Sequence, residues 1–423
     1  MAFHYKLRHI QKRVQFLSQN FKVILITGAR QIGKSTLLKN LLPSVPHITF
    51  DRLTDVYGAK SNPDLFIKSH RQPLILDEIQ YVPELLGAIK RAVDESDDMG
   101  QYYLTGSHNL GMLKQAAESM AGRVGIIDLE PFTPFEEFET FSFKDNTQAP
   151  LSWLESYLNS PAELLHNFAG IIDTYSPIHT VWRGSFPATM SKSDNAIADY
   201  FNSYIRTYIE RDALYAHPSA AAPEFHRYLQ VMSALTAQEI NYALFGRELG
   251  VQKKDIMTWE HILKQTYQWR EIPAYLPNTL KRLSSRGKGF MTDTGLACYL
   301  QGIRDPLSLL GSSRFGQLFE TYCVNLIFKL LSSLLAQPFV YHWKTLNDAE
   351  VDIVLHMNGK LYPIEIKSTD TPNKYDARGI LSFRKDYGDA VQHGIILHAG
   401  THCYKVHEHV TALPFNALMK ESA

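Results

Sequence analysis

Eight residues, Gly28-Ala29-Arg30-Gln31-Ile32-Gly33-Lys34-Ser35, have the types and spacing that hold a phosphate chain. They fit G-x-x-x-x-G-K-[ST]. Glycines at 28 and 33 let the backbone curl so that its N–H groups, with the N-terminus of the next helix, surround phosphates. Lys34 would reach the β- and γ-phosphates, Ser35 would ligate Mg²⁺, and Thr36 continues the loop into the helix. A second set lies about forty residues on: Pro73-Leu74-Ile75-Leu76 runs into Asp77-Glu78. Asp77 would hold Mg²⁺ through water, and Glu78 would polarise the water that attacks the γ-phosphate. Together they point to ATP hydrolysis.

A third set sits near the C-terminal end. Asp352 lies on an alternating segment, Glu350-Val351-Asp352-Ile353-Val354-Leu355, and the turn Asn358-Gly359-Lys360 leads to Ile364-Glu365-Ile366-Lys367. Glu365 and Lys367 share a strand face because side chains alternate with period two. Two carboxylates beside a lysine suit a divalent metal that activates water against a phosphodiester, with Glu320 as a fourth member. Acid and lysine at i, i+2 are also common on an exposed strand, so cleavage stays open.

These groups need elements to aim them. Val23-Ile24-Leu25-Ile26 before the phosphate loop is apolar and β-branched, a buried strand. Further strands are expected at 47–51, 73–77, 102–105 and 124–129, with helices at 5–20, 36–42 and 82–95 between them. That alternation predicts an α/β fold, a parallel sheet with helices on both faces, over residues 1–140. Residues 141–163 are rich in Ser, Thr, Asn and Pro, and read as a linker or variable insertion. From 164 to 304 the pattern is mainly helical, with helices at 199–214 and 225–237. Residues 305–423 turn α/β again, with a helix at 315–335 and strands at 340–343, 350–356 and 362–366.

Within the helical part, Asn241 to Val251 and Lys253 to Leu263 have the layout of a helix-turn-helix. Strands near 274–276 and 290–292 would flank a basic wing carrying Lys281, Arg282, Arg286 and Lys288. Lys253 and Lys254, with these four, are the candidate DNA contacts; a helical hairpin with solvated lysines is the plainer alternative.

Lys plus Arg and Asp plus Glu both number 43 in 423 residues, so a nucleic-acid surface must be a local patch rather than a global field. That length calls for two or three domains. Cys298, Cys323 and Cys403 have no metal spacing and read as reduced thiols. The charged N-terminus lacks a signal-peptide core, and no apolar run reaches membrane-spanning length, so a cytoplasmic protein without a membrane partner is expected.

The chain as a whole resembles the bacterial and archaeal AAA+ ATPases joined to a C-terminal domain of unknown function with a restriction-endonuclease-like core. The resemblance rests on the 28–35 loop, Leu-Asp-Glu-Ile-Gln (76–80), Leu-Thr-Gly-Ser (104–107) and Ala-Gly-Arg-Val-Gly (121–125). Downstream it continues through residues 182–187, 208–212, 293–297, 318–320, 350–352 and 365–367. It implies that Thr105 or Ser107 senses the γ-phosphate, and that Arg123 reaches a neighbouring subunit's nucleotide in a ring, a hexamer being favoured. Asp293-Thr294-Gly295 reads as a helix cap, and Arg211 and Asp212 as a structural ion pair. The expected activity is ATP hydrolysis driving work on DNA. Mg²⁺-dependent DNA cleavage gated by ATP, or a nucleotide switch acting on a protein partner, are the alternatives.

Overall fold

The structure, a computed structural model, describes residues 5–51, 53–106, 120–138, 152–172, 176–210, 213, 223–242, 246, 250–276, 286–345 and 349–420. Ser107, Arg211, Asp212, Lys281, Arg282, residues 141–151 and most of the first helix of the expected helix-turn-helix lie outside these.

The N-terminal part is built on strands β1 (Val23–Thr27), β2 (His47–Thr49), β3 (Leu74–Asp77), β4 (Tyr102–Thr105) and β5 (Val124–Asp128). They form one parallel sheet in the order β2-β3-β4-β1-β5. All five residues of β1 are buried, as is expected of a central strand covered on both faces. Helices α1 (Gln11–Asn20), α2 (Lys34–Leu41), α3 (Pro63–Ser69) and α4 (Glu84–Asp94) alternate with these strands. On α4, Leu85, Ala88, Ile89 and Val93 recur at helical spacing, and all four are buried. The first helix starts at Gln11 rather than at residue 5. The preceding residues are held by Arg8, whose guanidinium donates to the Ile32 and Glu130 carbonyls (3.2 and 2.7 Å) and pairs with Glu136 (3.1 Å).

The middle part carries the helices Asp194–Tyr204, Pro223–Ala234 and Lys253–Gln265. A small antiparallel sheet of β7 (Gln238–Glu239), β8 (Trp269–Ile272) and β9 (Lys288–Met291) runs in the order β7-β9-β8. The strand expected at 274–276 therefore lies earlier, at Trp269–Ile272. Pro273 cannot donate to a ladder and ends it. The following Ala274 bridges to His342 instead.

The C-terminal part has a six-stranded mixed sheet. Its strands are β10 (Phe339–Lys344), β11 (Glu350–Met357), β12 (Lys360–Lys367), β13 (Gly394–His398), β14 (Tyr404–His407) and β15 (Val410–Pro414). Their order is β10-β11-β12-β13-β15-β14, with the β12–β13 and β13–β15 pairs parallel and the others antiparallel. The helix Phe315–Ser333 covers one face and Arg378–Tyr387 the other; Ile380 and Phe383 of the latter pack with Trp343, Val351 and Ile396.

Part of the stretch expected to be a linker or variable insertion is folded and packed. Residues Trp153–Asn159 form a helix in which Trp153 and Tyr157 are fully buried, and the Tyr157 hydroxyl donates to the Pro363 and His393 carbonyls (3.0 and 2.9 Å). Downstream, β6 (Phe168–Ile171) pairs antiparallel with β16 (Ala417–Met419). Residues 152–172 thus pack onto the C-terminal part, although the helical middle lies between them in sequence.

Candidate active site

The phosphate loop follows β1 at its C-terminal edge. Gly28 has φ 134° and Gly33 φ 95°, values that favour glycine. A Cβ on Gly28 would meet the Leu129 carbonyl oxygen at 2.4 Å, so the turn requires glycine on steric grounds too. Gly33 caps α2 without a side-chain hydrogen bond to the helix amides, which leaves the first N–H groups free to face an anion. Lys34 opens the helix, buried, and its ammonium donates to the Gly28 and Ala29 carbonyls (3.0 and 2.7 Å). Burial pulls its pKa down to about 8, against the opposing pull of Glu78.

The acids arrive on β3. The Ser35 hydroxyl donates to Asp77 Oδ1 at 2.8 Å, and Thr105, at the end of the adjacent β4, donates to the same oxygen. His47 Nε2 and Thr49 Oγ1 both lie 3.4 Å from Asp77 Oδ2. Glu78 follows with φ 59° and ψ 43°, a left-handed conformation unusual for a non-glycine residue. Such departures are tolerated where the surroundings hold them. Here the Glu78 amide donates to Thr105 Oγ1 (3.1 Å), and Gln80 Nε2 donates to its carboxylate.

The predicted nucleotide residues are therefore gathered at one sheet edge: the 28–36 loop and helix start, Asp77, Glu78 and Thr105. Arg123 is elsewhere. Its carbonyl accepts from Val23 at the opposite end of β1, and its side chain pairs with Asp94 (2.5 Å) while half exposed. It stands roughly a strand length, about 16 Å, from its own phosphate loop.

Three contacts at this edge carry no motif in the sequence. The Gln31 amide donates to the Tyr208 hydroxyl (2.9 Å) and its carbonyl oxygen accepts from the Tyr200 hydroxyl (3.1 Å). Arg30 lies over the Tyr208 ring, 5.3 Å from its centre. Both tyrosines belong to the middle part, where Asp194–Tyr204 passes into a π-helical turn, Ile205–Ile209. Beside the loop, a cavity of about 380 Å³ is lined by Tyr5, Arg8, Thr36, Phe132, Pro187 and Tyr200 among others. The dense Tyr spacing of 200, 204 and 208 was a helical stripe in sequence, but nothing there tied it to the loop.

The candidate DNA residues separate. Lys253 and Lys254 are exposed in the first turn of Lys253–Gln265, and Arg286 is exposed. Lys288 is not. It is buried, with Nζ 2.6 Å from Glu320, 2.6 Å from Glu350 and 3.2 Å from Asp352. A phosphate could not reach it without breaking three ion pairs, so it is removed from the DNA-contact set.

Glu320, Asp352, Glu365 and Lys367 do meet on the C-terminal sheet. Lys367 Nζ lies 2.5 Å from Glu365 Oε1, and Asp352 Oδ2 accepts from the Ile366 amide (2.8 Å). Burial and the nearby Asp352 charge raise the pKa of both Glu320 and Glu365. The divalent metal that such a set would imply does not fit here, because an ammonium already stands among the carboxylates. Among the described residues no group of three or more His, Cys, Asp or Glu is placed to hold a metal ion.

Asp293 has the capping role expected of it. Oδ1 accepts from Leu296 N (2.9 Å) at the start of its helix and Oδ2 from Ser185 N (2.7 Å). Cys298 and Cys323 are buried and Cys403 half-buried, all three as free thiols. Among the described residues no helix is long and apolar enough to cross a membrane.

A family described as AAA domain matches residues 20–139, and two domains of unknown function, DUF8612 and DUF4143, match 177–307 and 315–418. Uncharacterized proteins of Mycobacterium tuberculosis and Mycobacterium bovis are each 26% identical over 399 residues, 94% of this chain and 81% of theirs. Among solved structures, a Walker-type ATPase of Pyrococcus abyssi is similar over 71% of this chain and 99% of its own (16% identity, TM-score 0.40). The RuvB Holliday junction branch migration motor of Thermotoga maritima is similar over 65% and 93% (15% identity, TM-score 0.29). Over residues 20–139 this chain is thus similar to AAA domains, and the phosphate loop there sits on a parallel five-stranded sheet.

Proposed function

We propose that this chain hydrolyses ATP and uses the cycle to act on DNA, as an oligomeric motor or remodelling ATPase. The observation that carries the hydrolytic half is the cluster Ser35–Asp77–Thr105–Glu78 beside the phosphate loop. Lys34 would donate to the β- and γ-phosphates, and the bare amides of α2 would cradle them. Ser35 and Asp77 offer hard oxygen donors of the kind Mg²⁺ takes. Bound there, the ion would neutralise charge on the phosphate oxygens. Glu78 would hold the attacking water and accept its proton, with Thr105 fixing both acids. The cavity between Tyr5, Phe132 and Tyr200 has the size and apolar walls for the nucleobase.

Arg123 is too far from its own loop to act on it. An arginine at the far sheet edge suits a neighbouring subunit's γ-phosphate in a ring, for which a hexamer is our reading. For DNA, the exposed Lys253 and Lys254 in the first turn of a helix, and Arg286 beside β9, offer local positive charge in a neutral chain. We read the β7-β9-β8 unit with its helices as winged-helix-like, and the C-terminal sheet as restriction-endonuclease-like in fold.

A second reading is supported by Gln31, which joins the phosphate loop to Tyr200 and Tyr208. This is a contact suited to a nucleotide switch that repositions the middle part toward a protein partner. Steady-state ATP turnover with and without single-stranded, duplex and branched DNA separates the two. Stimulation of several-fold, reduced by Lys253→Ala/Lys254→Ala and by higher salt, supports the DNA reading; turnover indifferent to every DNA sinks it and leaves the switch.

A further inference from the structure

The acidic centre of the C-terminal sheet already contains a cation, and it comes from another part of the chain. Lys288 is the first residue of β9, paired in register with Ile272 of β8 and Glu239 of β7. Its neighbour Gly289 has no room for a side chain: a Cβ would meet the Trp269 ring at 2.1 Å. Trp269 therefore packs directly on the β9 backbone, and alternation sends Lys288 to the opposite face from Met291 and toward the C-terminal part. There the ammonium meets Glu320 from the Phe315–Ser333 helix and Glu350 and Asp352 from β11. Three carboxylates from two elements surround one buried nitrogen.

A second observation concerns Glu365, which stands beside Asp352 in this centre. Glu365 is nine-tenths buried; one carboxylate oxygen is taken by Lys367, and Oε2 has no hydrogen-bond partner among the described residues. A buried carboxylate with a bare oxygen is costly unless a cation is close. Asp352 and Glu350 lie near enough to Glu365 to perturb it; Lys367 is the cation on Glu365, and Lys288 the cation on Asp352 and Glu350.

We infer that Lys288 takes the place of a metal ion in this centre. Glu320, Glu350 and Asp352 thereby form with it a metal-independent ion lock that fastens the β7-β9-β8 sheet to the C-terminal sheet. The same contact removes the basis for metal-dependent cleavage by Asp352, Glu365 and Lys367, because the reacting phosphodiester would have no metal to bind. This inference does not depend on the ATPase reading, since none of its residues touches the phosphate loop.

Two measurements on the full chain test it. The first is calorimetric titration of nucleotide-free protein with Mn²⁺, comparing the native chain with Asp352→Asn. No Asp352-dependent binding up to millimolar Mn²⁺ is expected; one stoichiometric site that disappears in Asp352→Asn overturns the inference. The second is thermal unfolding of Lys288→Met, Glu320→Gln and the double variant. Loss of the ammonium leaves buried carboxylates uncompensated, so Lys288→Met is expected to lower Tm by roughly 5 °C or more. Adding Glu320→Gln is expected to recover part of that loss. A Lys288→Met chain as stable as the native one, or a double variant whose losses simply add, overturns the lock.

Discussion

The Thr105 hydroxyl touches Asp77 and Glu78 at once: it donates to the Asp77 carboxylate, and its oxygen accepts from the Glu78 amide at 3.1 Å. One side chain on β4 thus holds the last residue of β3 and the one that follows it. That links the sheet register to the chemistry. If this hydroxyl is lost, Asp77 keeps Ser35 but Glu78 loses an amide anchor in a strained backbone conformation. Thr105→Val is expected to lower ATP turnover by about tenfold or more, with nucleotide affinity changed little. Thr105→Ser should restore most of the rate. Turnover and fluorescent-nucleotide binding on the three proteins check this.

The bridge from Gln31 to Tyr200 and Tyr208 predicts communication between nucleotide and middle part. Gln31→Ala, or Tyr200→Phe with Tyr208→Phe, removes both hydrogen bonds without touching Lys34 or Ser35. ATP binding is expected to persist. Hydrogen exchange of residues 194–209, which should slow on nucleotide binding in the native chain, is expected to lose that response. An unchanged response would place the coupling elsewhere.

Residues 152–172 are predicted to be part of the C-terminal fold. Tyr157 is fully buried and donates to two carbonyls from strands β12 and the approach to β13. Tyr157→Phe keeps the ring but strands those acceptors, at about 1–3 kcal/mol. Denaturant unfolding monitored by Trp153 or Trp343 fluorescence is the check, and a change below about 0.5 kcal/mol contradicts the packing described.

His393 gives a pH dependence. Its pKa is pulled to about 4, first by burial and then by Lys405, His409 and Arg384, while its Nε2 sits 2.8 Å from the Thr411 hydroxyl. An unfolded histidine titrates near 6.5. Between those values the unfolded chain binds the extra proton, so His393 withdraws stability as pH falls from about 6.5 to 4. The buried Glu320 and Glu365, with raised pKa values, act in the opposite direction. Comparison with His393→Gln isolates the histidine: the variant is expected to lose less Tm between pH 7 and pH 5 than the native chain.

The phosphate site was legible in the sequence because its signal is local. Gly28, Gly33, Lys34 and Ser35 sit on one turn, and the apolar runs before them and before Asp77 fix neighbouring strands; even the strand limits 102–105 agree with the structure. Thr105 is reached from the sequence only through the resemblance, on Leu-Thr-Gly-Ser (104–107). What was not legible depends on distance along the chain. Tyr200 and Tyr208 reach Gln31 across about 170 residues, and nothing in their helical spacing separates a core stripe from a loop contact. Lys288 looked like a wing lysine because its neighbours Arg286 and Gly287 suggest an exposed turn. Its true partners lie on other elements, 32 to 64 residues away, and burial among acids leaves no mark on local sequence. The helix at Trp153 was hidden by the Ser- and Asn-rich residues before it, while its β6 extension finds a partner only at residue 417.

The central claim is hydrolysis through Glu78, and the most direct measurement is release of γ-phosphate from ATP with Mg²⁺ by the native chain and by Glu78→Gln, alongside nucleotide binding by both. The account predicts turnover reduced by about 10²-fold or more in Glu78→Gln, with ATP still bound, because the phosphate loop is intact and only the group that holds the attacking water is neutralised. Turnover in Glu78→Gln equal to that of the native chain would contradict it.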